Sequence, residues 1–72
     1  MWSVMRVVFK YYITRYGAQL PNTGLTVTGI YGERQYIPEI DRMAYGWVTY
    51  TRRLMPWEIA RAGLISQPRE DE

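Results

Sequence analysis

The chain has 72 residues, nine Lys or Arg against seven Asp or Glu, no cysteine and no histidine. This excludes disulfides and a Cys/His zinc centre, and it removes the imidazole bases and thiolate nucleophiles on which most small catalytic sites run. With 47% hydrophobic and 15% aromatic residues, the sequence is too apolar for disorder and too short for two domains.

Three of the acids are the final residues Glu70, Asp71 and Glu72, and the first carboxylate is Glu33. The rest of the chain therefore carries nine basic residues against four acidic ones. A basic surface attracts an acidic protein face, an anionic membrane or nucleic acid. A core of this size supplies only about 3–5 kcal/mol, which makes a protein partner the favoured expectation.

In chain order, the polar residues Ser3, Arg6, Lys10 and Thr14 recur at helical spacing. Trp2, Met5, Phe9, Tyr12, Ile13 and Tyr16 form the complementary stripe, so an amphipathic helix is predicted over 3–16. Ser3 suits its N-cap and Gly17 its left-handed end. The β-branched and aromatic content pulls toward a strand, but the helix separates polar from apolar more cleanly. Residues 17–24 read as a loop, because Gly, Pro and Asn break both patterns. Residues 25–31 alternate as a strand, Gly32-Glu33 suggests a turn, and Arg34 to Ile37 return as a second strand ended by Pro38. Residues 39–46 are ambiguous. Residues 47–52 form the clearest strand, and Trp47, Tyr50 and Tyr36 are expected to pack together on the sheet. Pro56 opens a short helix with Glu58 complementing its dipole, Trp57, Ala60 and Leu64 sharing a face, and Gly63 limiting its length. No apolar run approaches the roughly 20 residues of a membrane-spanning helix.

The fold expected is α+β: an N-terminal amphipathic helix, a small three-stranded antiparallel sheet and a short C-terminal helix. It forms one domain over residues 1–66, with an acidic disordered tail over 67–72. Glu58 to Ser66 have the outline of a helix-turn-helix start. Too few residues follow for a recognition helix, and a glycine-capped terminal helix is the better reading.

Three motifs occur in order: Tyr31-Gly32-Glu33-Arg34-Gln35-Tyr36-Ile37-Pro38-Glu39, then Trp47-Val48-Thr49-Tyr50, then Pro56-Trp57-Glu58. Over residues 25–58 the series resembles the family of small matrix-arm accessory subunits of respiratory complex I and their mimitin assembly-factor paralogues. Glu33 stands where that family has Asn, Gln35 replaces a Tyr, and the Pro-Trp-Glu order differs. The resemblance implies a non-catalytic accessory or assembly subunit of the respiratory electron-transport chain, docked in mitochondria on the matrix side of the inner membrane. The basic, acid-free start has the character of a mitochondrial targeting segment. The opposing reading is a free-standing cytoplasmic regulator of viral or plasmid type that binds a protein or nucleic acid.

No cofactor, metal or small-molecule substrate is expected. The partners expected are other protein subunits, then a membrane surface, with nucleic acid a weaker third. The residues assigned to partner contact are the stripe Trp2, Met5, Phe9 and Tyr12, its basic edge Arg6 and Lys10, and the later Arg52, Arg53 and Trp57.

Overall fold

The structure, a computed structural model, describes residues 8–68. It is a four-stranded antiparallel sheet with one short helix. The elements are β1 (Phe9–Ile13), β2 (Leu25–Ile37), β3 (Arg42–Tyr50), α1 (Pro56–Ala62) and β4 (Leu64–Ser66), and the strands lie in the order β2-β3-β1-β4.

The expected N-terminal helix is contradicted over residues 9–13, where the chain is a central strand; residues 1–7, including Trp2, Met5 and Arg6, lie outside the described residues. The physical reason is burial on both sides. Tyr11 and Ile13 pack into one core cluster and Tyr12 into another. A strand covered on both faces shows a near-continuous apolar run, with no alternation to identify it. Aromatic and β-branched residues then prevail over the accidental helical spacing of Lys10 and Thr14.

The sheet has four strands, not three. The fourth arises because Gly63 adopts the left-handed conformation, φ 68°, and ends α1. Glycine meets no Cβ penalty there. Leu64 to Ser66 then run back along β1, Ile13 opposite Leu64 and Tyr11 opposite Ser66. Thr14 ties the junction, its amide (3.0 Å) and its hydroxyl (2.5 Å) both donating to the Gly63 carbonyl.

The hairpin differs from expectation as well. Residues 25–37 are one strand, and the reversal falls at Pro38–Asp41, not at Gly32-Glu33. The amides of Ile40 and Asp41 donate to the carbonyls of Ile37 and Pro38, both at 3.2 Å, and Asp41 takes φ 53°. Asp tolerates that region better than most residues. Gly32 instead sits in an irregular stretch of β2, where the five steps from Ile30 to Gln35 answer only two steps of β3, from Gly46 to Ala44.

β1 and β2 both run antiparallel to β3, so they are parallel to each other with β3 between them. Residues 14–24 must therefore cross over the sheet to join them. Beneath this crossover lies the main cluster of Tyr11, Ile13, Val48, Tyr50, Leu54, Ala62 and Leu64, with Leu20, Ala18 and Ile59 packed against it. On the opposite side, Tyr12, Ile37 and Ala44 are covered by Tyr31, Ile40 and Trp47. The indole of Trp47 lies over Gly29, where any Cβ would overlap it. Trp47, Tyr50 and Tyr36 do not pack together. Tyr50 belongs to the first cluster and Trp47 to the second, because odd and even residues of a strand face opposite ways. Tyr36 is exposed and donates its hydroxyl proton to Asp41.

Candidate functional site

Two buried tyrosines fasten the irregular segments to the sheet. Their rings meet edge to face, centroids 6.0 Å apart. The Tyr11 hydroxyl accepts from the Leu54 amide at 3.0 Å, and the Tyr50 hydroxyl donates to the Pro21 carbonyl at 2.5 Å. Burial raises the Tyr50 phenol above its ordinary pKa, which keeps it a neutral donor.

Arg52 completes this corner. Its guanidinium makes two parallel bonds to Glu58, at 2.9 and 2.7 Å, while Nε donates to the Thr23 carbonyl at 3.2 Å. Glu58 Oε1 also accepts the Met55 amide at 2.8 Å, at the start of α1. The Arg52 bonds first, and then the Met55 amide, hold the Glu58 carboxyl at about 2. An arginine fork matched to a carboxylate is directional. Here it joins the end of β3, the end of the crossover and the first turn of α1. Arg52, assigned from sequence to partner contact, is thus committed to the fold.

The other assigned residues do not form one surface. Phe9 is half-buried against the first cluster, with the Arg53 guanidinium 4.9 Å above its ring. Tyr12 is buried in the second cluster. The Lys10 ammonium stands 5.1 Å from both the Tyr12 and the Trp47 rings. Trp57 is 60% exposed on α1, and Trp2, Met5 and Arg6 lie outside the described residues.

The open surface lies elsewhere, on either side of the crossover. On one side a hollow of about 310 Å³ is bounded by Leu20, Asn22, Trp57, Glu58 and Arg61. On the other, a second hollow of about 310 Å³ is bounded by Ile13, Tyr16, Leu20, Ile30, Arg34 and Tyr45. Leu20 lines both. The second hollow has a sequence cause. Ile13, Gly46 and Ile30 lie opposite one another across β1, β3 and β2, so this cross-strand row has no side chain at its middle. A Cβ at Gly46 would overlap the Gly29 carbonyl oxygen, so the backbones approach too closely for a larger residue. The crossover starts at this hollow with Tyr16 set edge to face on Tyr45, centroids 5.7 Å apart.

This hollow adjoins the exposed rim of β2. That strand is 13 residues long and stands at the edge of the sheet. Leu25, Val27, Ile30 and Tyr36 are all exposed along it, Ile30 at 69%. Sequence reasoning missed the surface, because 25–37 read as the two strands of a hairpin and not as one long edge strand. The clue available was the side-chain character: Val27 and Ile30 have apolar side chains with no assigned core. Among the described residues, no group of three or more Asp or Glu is placed to hold a metal ion, and no helix is long and apolar enough to cross a membrane.

Comparison with protein-family models, with curated proteins and with solved structures gives no match to this chain.

Proposed function

We propose that the protein is a non-catalytic docking component of a larger protein assembly, and that it binds through the outer side of β2 and the adjoining hollow. The observation that carries this is the placement of large apolar side chains. Ile30, Val27 and Tyr16 are 69%, 53% and 84% exposed, while the polar groups able to do chemistry, Glu58 and Arg52 above all, are consumed in holding the fold. Ile30 and Tyr16 border the hollow on the crossover side, and Val27 stands on the other face of the same edge strand. Exposed large apolar side chains of this kind mark an interaction site. An edge strand whose outer side has no strand partner among the described residues, and that carries no proline or lysine to blunt it, is a template for pairing with another chain.

The motif series over 31–58 suggests a specific assembly, the matrix side of respiratory complex I. The resemblance alone supports that partner, whereas the exposed apolar side chains support docking through β2 whatever the partner is. The test is native electrophoresis of the tagged protein expressed in its source cells. Migration with one stoichiometric partner, lost in Ile30→Glu at an unchanged melting temperature, supports docking through β2. Co-migration with complex I subunits supports the specific assembly. A protein that remains a free monomer, or an Ile30→Glu variant that still assembles, contradicts the reading.

A further inference from the structure

Resting on that docking surface, the structure points to the chemistry of its occupant: we propose that β2 accepts an extended, acidic segment of another protein as a fifth strand, with one aromatic or long aliphatic side chain of that segment seated in the hollow beside Ile30. Three features carry this. First, the outer row of backbone N–H and C=O groups of β2 has no strand partner among the described residues, because β2 ends the sheet. Strand addition satisfies these groups directly and leaves specificity to side-chain pockets along the edge. Residues 27–30 run in regular register with β3 between the two register shifts, at Leu25/Val27 and Ile30/Gln35. They provide a stretch long enough for a short peptide and limited at both ends.

Second, the hollow lies just inside that stretch. Its volume of about 310 Å³ falls at the lower end of the range for ligand pockets and suits a single bulky side chain. Its walls are apolar and aromatic, from Ile13, Leu20, Ile30, Tyr16 and Tyr45. Such a wall receives an aromatic or aliphatic anchor with no polar group left unpaired.

Third, the mouth of the hollow is basic. Arg15 and Arg34 line it against a single acid, Glu33. Arg15 donates from Nη1 to the Arg61 carbonyl at 2.9 Å, while Arg34 has no ion-pair or hydrogen-bond partner among the described residues. An exposed guanidinium beside an apolar pocket favours a carboxylate next to the anchor residue. It also disfavours a second copy of this chain, which would bring the same basic mouth toward itself.

The probe is a fluorescein-labelled peptide, acetyl-Glu-Val-Phe-Val-Glu-Val-Glu-amide, titrated with the whole protein and followed by fluorescence polarisation. Saturable binding is expected. Ile30→Glu should weaken it by about thirtyfold, the loss typical of an interface anchor, and Arg34→Glu by about fivefold through the rim charge. Both positions are exposed, so circular dichroism should show both variants folded. The same peptide N-methylated at alternate residues, which removes the backbone donors that strand pairing needs, should not bind. Equal binding of the N-methylated peptide would overturn strand addition, and equal binding of a Lys-for-Glu peptide would overturn the acidic occupant. A concentration-dependent dimer in sedimentation, dispersed by Ile30→Glu, would make the occupant a second copy and also overturn the proposal. If the peptide fails to bind while Ile30→Glu still abolishes native assembly, only the occupant's chemistry falls and the docking surface stands.

Discussion

The corner around α1 and the outer side of β2 are built from similar residue types and put them to opposite uses. At the corner, two tyrosines and an arginine contact elements distant in sequence, and a glutamate anchors the arginine. Tyr11 reaches Leu54, Tyr50 reaches Pro21, and Arg52 reaches both Thr23 and Glu58. Along β2, Ile30 and Val27 hold nothing in the core and face outward. Tyr16 and Tyr45 touch each other over a hollow, and Tyr16 remains 84% exposed. The corner residues are held by contacts within the fold, whereas the apolar side chains along β2 stay exposed. The comparison teaches that the aromatic and charged residues of a small domain cannot be sorted into structural and functional by type. Only their contacts decide.

The largest effects should come from the fastened region. Tyr11→Ala removes a buried ring, its edge-to-face partner and the acceptor of the Leu54 amide, and should cost about 3–5 kcal/mol. Chemical denaturation should show the variant largely unfolded. If Tyr11→Ala kept most of the wild-type stability, the first cluster would not be the centre of the fold.

The Arg52–Glu58 pair gives a pH signature. Its carboxyl lies at about 2 in the folded protein against 4.5 for the ordinary group. Because the folded value is depressed, the stabilisation is fully present above about 4.5 and is lost as pH falls toward 2. Thermal melts from pH 7 down to pH 2 should show a falling limb below pH 5. Glu58→Gln should lower the melting temperature at neutral pH and flatten that limb. An equally steep limb in Glu58→Gln would assign the acid sensitivity to other carboxylates.

Thr14→Val removes the hydroxyl that donates to the Gly63 carbonyl and keeps the β-branched shape. A loss of about 0.5–1.5 kcal/mol is expected, seen as faster amide exchange in β4. The smallest effects should fall on β2. Ile30→Glu and Val27→Lys sit on exposed positions and should change stability by no more than about 0.5 kcal/mol. A collapse of the fold in either would place β2 among the core elements and erase the contrast between the two regions.

The sequence made some of this legible. The Thr-rich alternation of 25–31, the β-branched and aromatic run at 47–52 and the Pro56 helix start each point to the element observed. Where periodicity misleads, the cause is tertiary. Residues 9–13 form a strand buried on both faces, so their pattern lacks the period of two that would reveal it. The Gly32-Glu33 turn signal is real as a local irregularity, but the chain spends it on extra residues within β2, while Pro38–Asp41 makes the reversal. The short strand after Gly63 carries too few residues for any periodic signal, and depends on Thr14 at the far end of β1. The candidate site was hardest to see. Its hollow is created by Gly46 opposite Ile13 and Ile30, three residues brought together only by the β2-β3-β1 order.

Amide hydrogen exchange of the free and the assembled protein is the sharpest test of the proposal that β2 meets a partner. Assembly should slow exchange along residues 25–34 and around Tyr16, with amides of Tyr11 and Val48 unchanged because the core is already protected in the free chain. Unchanged exchange along β2, with new protection on β4 or on the Trp57 side of α1, would move the docking surface to the opposite edge of the sheet.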